Sequence, residues 1–314
     1  MTDLSIIIVN YKTPDLTRRC IVSILDTIKI SIKYEIIIID NESREATLSD
    51  LPNGNDNIHL ISLKENMGFG RANNIGISKS NGKYLLFVNS DIVVHDNTID
   101  ECFRQVEKDP EIGVLGCKLA YADGSVQKSV YYDAGSFKSI LVNNLFINYC
   151  WGYQEKKLNA IMGSFMLIPR VVIEKTGGFD PDFFMYSEEI ELCRRITKQG
   201  YKIHFSENVS ALHLHEGSSV NKKKTLRQRF LSNALLYIKL HGVFGYFLYH
   251  LLFFFNIIAN FPVMWFVNKN YRIEYRQEYF EVAYGYFSNF FVYLTIPFLY
   301  SKKRGKGLRI LKSS

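Results

Sequence analysis

Apolar residues dominate five short segments within the first 120 positions, and a polar or helical stretch separates each of these runs from the next. The runs are Leu4–Val9, Tyr34–Ile39, Ile58–Leu63, Tyr84–Val88 and Ile112–Leu119. Leu4–Val9 is a continuous run rich in β-branched residues, which is typical of a strand buried on both faces of a parallel sheet. Tyr34–Ile39 predicts the next buried strand, and Ile58–Leu63 a short third one. Their alternation with helical segments predicts a doubly wound α/β domain, in which ligands bind outside the carboxyl ends of the strands.

The segments between and after these runs carry local signals of their own. Thr13 followed by Pro14 predicts the cap and first residue of a helix. A second helix is expected over Gly68–Ser80. Tyr121–Val126 predicts a hairpin that leaves the sheet. We expect a single further strand over Ala160–Ile168, where small residues within the strand would let a ligand approach closely.

The character of the chain changes after residue 226. Hydrophobic residues make up 47% of the sequence and aromatic residues 14%, and the excess gathers in this region. Val243–Val267 is long enough to cross a hydrocarbon core of roughly 30 Å as a helix, but four residues interrupt it: His250, Asn256, Asn260 and Pro262. Tyr284–Tyr300 is a second apolar aromatic run. Partly polar aromatic helices of this kind favour interfacial, monotopic binding. A two-span hairpin and a soluble oligomer face are the alternatives.

Basic residues flank these runs. The net charge is +7, and much of it lies in Lys222–Arg229 and Lys302–Lys312. Such flanks suit the anionic cytoplasmic leaflet of a membrane. Nucleic acid is a competing partner for basic charge, but no recognition motif accompanies it, so none is expected. The sequence therefore predicts two domains, 1–225 and a helical, membrane-associating region 226–314, on the cytoplasmic side of the cell membrane.

The cysteines indicate a reducing compartment. They are widely spaced and form no Cys-x-x-Cys pair, so neither a zinc site nor a disulfide framework is expected. The five are Cys20, Cys102, Cys117, Cys150 and Cys193. The chain opens directly into its first predicted strand, and we expect no signal peptide.

Polar residues that follow two of the apolar runs are candidate ligand contacts. Asp40 is either a turn residue or a carboxylate that accepts the imide N–H of a pyrimidine base, with Tyr11 against the ring. Asn89-Ser90-Asp91 is either a turn or part of a divalent-metal site, since such ions prefer hard oxygen ligands. Asp91 is the stronger candidate because Asn89 offers only an amide oxygen.

Two further motifs have both ordinary and functional interpretations. Gly68–Gly76 is glycine-rich but is not a dinucleotide-binding fingerprint. Its helix start still favours a phosphate, base or ribose contact near Arg71. His213 and His215 would share one face of a strand. They are either ordinary polar surface or, near a diphosphate and a metal, ligands of one or the other.

An acidic segment rich in aromatic residues, Gly177–Arg195, is the most informative part of the chain. Carboxylates near apolar surface tend to have shifted pKa values and can act as bases. Successive helical residues diverge by about 100°, so only one of Glu188 and Glu189 can face a substrate hydroxyl. Arg194 and Arg195 are expected to balance this acidic turn.

In order and spacing, these motifs resemble the family 2 inverting glycosyltransferases, specifically the rhamnosyltransferase-like bacterial members that build O-antigen and other surface polysaccharides. The resemblance covers about residues 4–220. It is carried by Ser5–Tyr11, Asp40–Ser43, Glu65–Gly70, Asn89–Asp91, Gly163–Leu167, Gly178–Cys193 and His213–Ser218.

The resemblance implies a GT-A fold, a nucleotide-binding mixed sheet, with a divalent metal, Mg²⁺ or Mn²⁺, as cofactor. It assigns the catalytic base to Glu189, beside Glu188, where the family usually has Glu-Asp. The base is thus one methylene longer here. The implied metal ligands are Asp91 and His213, with Asn89 and His215 less favoured.

The resemblance also implies two substrate groups. The expected donor is a nucleotide-diphosphate sugar, of rhamnose or a similar hexose. Its candidate contacts are Asn10, Tyr11, Asp40, Arg71, Asn74 and Ser90. The expected acceptor is a lipid-linked or oligosaccharide hydroxyl, with Gly163, Phe184 and Tyr186 on its side of the site, near the insert 127–160. A sugar nucleotidyltransferase and a non-catalytic membrane scaffold are the alternatives, and the former lacks its expected phosphate loop after the first strand.

Overall fold

The computed structural model describes residues 2–42, 56–137, 140, 158–214, 222–266, 280, 282–287, 295 and 297, with the backbone alone at 222–224 and 262–266. The chain divides into two compact units. The first comprises Met1–Tyr131, Asn159–Pro181 and Glu189–Val220. The second comprises Tyr132–Leu158, Asp182–Glu188 and Asn221–Ser314. The second unit thus takes two short segments from the region before residue 225, besides the aromatic C-terminal region.

The elements alternate as the apolar pattern predicts. The strands are β1 Leu4–Asn10, β2 Tyr34–Asn41, β3 Ile58–Leu63, β4 Tyr84–Asn89, β5 Ile92–Val94, β6 Ile112–Ala120, β7 Val126–Gln127, β8 Val130–Tyr132, β9 Leu158–Ile161, β10 Phe165–Pro169 and β11 Lys202–His213. The helices are α1 Pro14–Thr27, α2 Phe69–Lys79, α3 Thr98–Lys108, α4 Arg170–Thr176, α5 Glu188–Lys198 and α6 Lys222–Phe266.

A mixed nine-stranded sheet forms the centre of the first unit. Its order is β3-β2-β1-β4-β10-β6-β11-β5, and β7 pairs with β6. Strands β1, β2, β3 and β4 are parallel, whereas β10 is antiparallel to both of its neighbours. Because β1, β2 and β4 point the same way, their carboxyl ends meet at one edge of the sheet. This edge collects the polar residues that the sequence singles out.

Burial explains why these runs form central strands. Ile6, Ile7 and Ile8 of β1 are fully buried, as are Ile36 to Ile39 of β2. Apolar side chains on both faces need cover on both faces, and α1 and α3 contribute Ile21, Ile24 and Phe103 to the core cluster on one of them. The hydrophobic effect thus fixes the sheet at the centre of the unit.

Most local predictions are confirmed, and one is wrong. Thr13 occupies the N-cap position of α1, without a capping hydrogen bond from its side chain, and Pro14 is the first helical residue. The predicted hairpin joins β6 to β7 in antiparallel pairing. The single strand expected over Ala160–Ile168 is instead two strands in different sheets, since β9 pairs with β8. The turn at Gly163–Ser164 separates them, because small residues permit a tight change of direction there.

Helix α6 dominates the second unit. Its backbone leaves helical geometry at Gly242, where φ is 70° and ψ is −170°, so two helical segments meet at a kink. A positive φ of this size favours glycine. A second apolar cluster forms around this helix, and its buried members include Phe230, Tyr237, Tyr246 and Tyr249.

The four described cysteines, Cys20, Cys102, Cys117 and Cys193, are buried and unpaired with one another. Burial raises the pKa of Cys102 and of Cys193 to about 12. Such thiols stay protonated and inert at neutral pH. Cys150 lies outside the described residues.

Candidate active site

Asn10 organises the sheet edge between β1 and β2. It is fully buried and lies opposite Asp40 in the parallel register. Its Nδ2 donates to Asp40 Oδ1 at 3.0 Å. Its Oδ1 accepts from the Thr13 amide at 3.2 Å and from the Thr17 hydroxyl at 2.9 Å. Asn10 therefore orients the Asp40 carboxylate and closes the first loop, and these bonds use both ends of its amide.

The other predicted donor residues of this edge lie close by. Ser90, directly after β4, is buried, and its hydroxyl is 3.0 Å from that of Thr13, which joins the loops after β1 and β4. Tyr11 is half-buried, with the Lys12 ammonium 5.2 Å from its ring centroid. The edge thus brings a carboxylate, hydroxyls and an aromatic ring together, the groups needed to hold a base and a ribose.

The predicted metal ligands Asp91 and His213 form a pair. His213 Nε2 lies 3.2 Å from Asp91 Oδ1, and the two side chains are only 6% and 12% exposed. The other ring nitrogen, Nδ1, lies 2.9 Å from Gln127 Oε1. In the tautomer that carries its hydrogen on Nδ1, the Gln127 amide oxygen accepts that hydrogen, and the Nε2 lone pair lies on the side of Asp91.

These residues fit a divalent cation. A carboxylate oxygen and an imidazole nitrogen this close together can share one ion, and metal-binding histidines commonly donate their second N–H to an oxygen as His213 does to Gln127. Within the described residues no group of three or more His, Cys, Asp or Glu could hold a metal. Diphosphate oxygens and waters would complete the coordination, as is usual for Mg²⁺. His215 lies outside the described residues.

Asn89 faces the turn between β9 and β10. Its backbone amide donates to the Ser164 carbonyl at 3.0 Å, and its Nδ2 reaches the Ser164 hydroxyl at 3.4 Å. Its Oδ1 is buried without a hydrogen-bond partner. A buried amide oxygen of this kind is costly unless a ligand, a water or an ion satisfies it. This position is therefore compatible with a metal-bound water or a donor group.

Glu189, the predicted base, is buried in the first unit. It lies in the first turn of α5 and is 7% exposed. The Tyr131 hydroxyl donates to its Oε1 at 3.1 Å. A side chain added at Gly163 would place its β-carbon 3.6 Å from that of Glu189, so the predicted acceptor-side glycine lies beside the base.

The neighbouring carboxylates have structural partners. Arg195 binds both oxygens of Glu191 through Nε at 2.9 Å and also donates to the carbonyls of Thr176 and Gly178. The expected balancing role of Arg195 is confirmed. Glu188 is buried and belongs to the second unit.

Two predicted donor residues on α2 hold the start of the acidic segment. Asn74 makes two hydrogen bonds with the Phe179 backbone, at 2.7 and 2.8 Å, and Arg71 Nε donates to the Pro181 carbonyl at 2.7 Å. A β-carbon at Gly178 would lie 2.3 Å from Asn74 Oδ1, so this contact requires glycine. Donor binding by Arg71 and Asn74 stays a prediction beside this structural role.

Tyr131 and Gln127 were not predicted from the sequence. Both lie at the start of the aromatic insert, where Val130-Tyr131-Tyr132 forms β8. The sequence places this insert near the acceptor, but it has no feature that separates Tyr131, which meets Glu189, from Tyr132, which is 40% exposed. Only the pairing of β8 with β9 decides which tyrosine faces the base.

The sequence also matches a known protein family. The family model described as "Glycosyl transferase family 2" matches residues 5–177, more than half of the chain. The chain belongs to this family. Its membership confirms the expected glycosyltransferase and disfavours the nucleotidyltransferase and scaffold alternatives.

Curated relatives agree with this assignment. The O-antigen biosynthesis protein RfbC of Myxococcus xanthus is 28% identical over 69% of this chain, which spans 17% of that protein. The low-salt glycan biosynthesis hexosyltransferase Agl10 of Haloferax volcanii is 28% identical over 76% of this chain and 78% of its own length. The N-acetylglucosaminyl-diphospho-decaprenol L-rhamnosyltransferase of Mycobacterium tuberculosis is 23% identical over 71% of this chain and 79% of its own length.

Solved structures confirm a GT-A-like α/β fold. The crystal structure of residues 1–349 of TarS from S. aureus has a TM-score of 0.52 and 13% identity, covering 90% of this chain and 81% of its own. The structure of GalNAc-T7 with UDP, GalNAc and Mn²⁺ has a TM-score of 0.52 and 18% identity, and the match covers 72% of this chain and 48% of that protein. At these identities the likeness concerns the fold alone.

Proposed function

We propose that this family 2 glycosyltransferase is an inverting, metal-dependent enzyme. It moves a hexose, rhamnose or a similar sugar, from a nucleoside diphosphate donor to a hydroxyl of a saccharide or lipid-linked acceptor in surface-polysaccharide synthesis. The observation that carries the proposal is the buried Glu189 carboxylate, held by Tyr131 beside Gly163. The names of the M. tuberculosis and H. volcanii relatives support the substrate classes.

The proposed reaction is a single displacement, and the chain's own side chains assist it. Glu189 removes the proton of the acceptor hydroxyl as the oxygen attacks the anomeric carbon from the face opposite the leaving group. The bond from that carbon to the diphosphate oxygen breaks, and the configuration inverts. Asp40, held by Asn10, and Tyr11 bind the nucleotide base. Asp91 and His213 would hold the Mg²⁺ or Mn²⁺, which supplies positive charge to the departing diphosphate.

Nucleoside diphosphate release from a panel of nucleotide sugars, with and without acceptor, tests this function. Glu189→Gln should keep donor binding while turnover falls by about 10²–10⁴-fold, the usual contribution of a general base. Glu188→Gln is the matched control, because it makes the same change one residue earlier in the chain. Wild-type turnover in Glu189→Gln, together with loss of turnover in Glu188→Gln, would show that the base is misassigned.

The enzyme is further proposed to bind the cytoplasmic leaflet of the membrane through one face of α6. Within the described residues one helical stretch, Thr225–Phe261, is long and apolar enough to cross a membrane, and 22% of its apolar window is buried. Tyr246, Tyr249 and Ile257 point inward. The exposed side consists of Phe244, Phe247, Leu251, Phe255, Ile258 and Phe261.

One-sided exposure favours an interfacial helix over a spanning one. The sequence has no Lys, Arg, Asp or Glu between Lys239 and Lys269, so the exposed face is both apolar and uncharged. An aromatic surface of this size is typical of a binding face. Four parts of the region lie outside the described side chains: Lys222–Lys224, the flank Lys302–Lys312, most of Tyr284–Tyr300 and the end of the Val243–Val267 run.

Sedimentation with anionic vesicles tests this attachment. The full-length protein should stay bound in high salt, because salt screens charge but does not weaken apolar insertion. Combined Phe244→Ser and Phe247→Ser should release it. The matched control is Phe69→Ser, an aromatic change in the first unit. A wild-type protein that stays free of vesicles without detergent would contradict membrane docking.

A further inference from the structure

The loop Asp182–Ser187, which belongs to the second unit, has an unusual backbone. Tyr186 has a φ of 72° and Ser187 a φ of 69°, so two successive residues other than glycine are left-handed. Such conformations persist only where the surroundings determine them, and they concentrate at functional sites. Ser187 directly precedes α5, whose second residue is Glu189. The shape of this loop therefore needs a structural cause.

Helix α6 supplies that cause near the carboxyl end of the loop. The Ser187 hydroxyl donates to Asn233 Oδ1 at 2.8 Å. The Ser232 hydroxyl donates to the Met185 carbonyl at 2.6 Å. The Arg229 guanidinium lies 5.7 Å from the ring centroid of Tyr186. These contacts fix the two residues on either side of Tyr186.

The beginning of the loop is held by an ion pair. Lys239 Nζ lies 2.6 Å from Asp182 Oδ2, and their side chains are only 13% and 10% exposed. The same ammonium lies 5.9 Å from the ring centroid of Phe183. Gln228 adds a contact of 3.5 Å to the Met185 carbonyl. We call Gln228, Ser232, Asn233 and Lys239 the α6 polar stripe, because the side chains of all four contact loop 182–187.

We propose that the α6 polar stripe is a positioning element for acceptor use. It holds loop 182–187, which carries the predicted acceptor-side residues Phe184 and Tyr186, in a single shape. Asn233 and Lys239 are positioning residues in this role, and they act through the loop. The inference rests on the proposed function, in which this loop lies on the acceptor side. It gives α6 a second task besides membrane attachment.

Asn233→Ala tests the proposal against Asn256→Ala. Both remove an asparagine from the same helix, but the Asn256 amide donates to the Ile140 carbonyl at 2.8 Å rather than serving the loop. Asn233→Ala should lower kcat/KM for the acceptor by about 10- to 100-fold, as misplacement near a reacting group does. Donor binding by calorimetry should be unchanged. Asn256→Ala should keep acceptor kinetics near wild type, and equal effects of the two variants would overturn the proposal.

A double-mutant cycle that combines Asn233→Ala with Ser187→Ala sharpens this test. If the hydrogen bond between Ser187 and Asn233 carries the effect, the double variant should be no slower than Asn233→Ala alone. Simple addition of the two losses would contradict a shared cause. Thermal unfolding of each variant identifies any that fail to fold.

Hydrogen exchange separates this proposal from the proposed function. Amides of residues 183–187 should exchange faster in Asn233→Ala than in wild type, and Asn256→Ala should not change them. A wild-type protein that releases no nucleoside diphosphate would refute the proposed function, while unchanged exchange in Asn233→Ala would refute the polar stripe. Each failure can be observed without the other.

Discussion

His213 is a buried histidine of the first unit and His250 a partly buried histidine of the second, and their surroundings differ. His213 lies 3.2 Å from the Asp91 carboxylate and 2.9 Å from the Gln127 amide. His250, on α6, lies 3.1 Å from the Tyr286 hydroxyl, and burial lowers its pKa to about 4. His250 is therefore neutral at pH 7 and packs as an aromatic side chain. Burial alone does not indicate a ligand site; partners of the right chemistry do.

The same contrast separates two buried pairs of side chains. Asp91 and His213 meet at the sheet edge of the first unit, and a carboxylate and an imidazole can both bind a cation. Asp182 and Lys239 meet in the second unit, where an ammonium can pair with the carboxylate but cannot bind a cation. The first pair should therefore matter for ligand binding and the second for the shape and stability of its unit. The predictions below test this division.

Lys239→Met should have the largest effect on stability. It leaves the Asp182 carboxylate buried without its ammonium, and breaking one side of a buried pair costs about 3–5 kcal/mol. The free energy of unfolding in urea measures this loss. Lys202→Met is the control, since the pair that Lys202 forms with Glu111 is exposed and its loss should leave the unfolding midpoint nearly unchanged. Equal midpoints for the two variants would contradict a structural role for the Lys239 pair.

Asp91→Ala should act on ligand binding instead. Removing groups that merely orient metal ligands costs about 10–100-fold in metal affinity, so losing a direct ligand should cost at least about 100-fold in Mn²⁺-dependent donor affinity. Calorimetry of nucleotide binding with and without Mn²⁺ measures it. The control is Asp96→Ala, whose side chain is 69% exposed. Equal donor affinity for wild type and Asp91→Ala with Mn²⁺ present would exclude Asp91 as a ligand.

The sequence predicts the first unit well because its signals are local. Runs such as Leu4–Val9 contain their own evidence for buried strands, and parallel connection then brings Asp40 and Asp91 to one edge. The turn at Gly163–Ser164 was missed because an apolar run on both of its sides looks like one strand. Glycine and serine within such a run are also compatible with a strand that a ligand approaches.

The role of α6 could not be predicted in the same way. Ser187 and Asn233 are 46 residues apart in sequence, and Asp182 and Lys239 are 57 apart. Nothing local to either partner signals the contact, because a polar residue on an amphipathic helix ordinarily faces water. The sequence therefore indicates the apolar face of α6 but not its polar stripe.

Of the variants Lys239→Met, Asp91→Ala and Tyr131→Phe, the last should have the smallest effect. It should change only the behaviour of the Glu189 carboxylate, the proposed base. A hydrogen bond to a charged group contributes about 1.5–3 kcal/mol, and the lower end applies because this bond is only partly buried, so loss of the Tyr131 hydroxyl should lower kcat by about tenfold. The ionised Glu189 loses a donor that the neutral acid does not need. The acid limb of the pH–rate profile should therefore move to higher pH. Tyr132→Phe is the matched control, on the exposed neighbour in β8. A variant that turns over slowly with an unmoved acid limb would assign Tyr131 to packing, and the contrast between the units would then rest on Asp91 and Lys239.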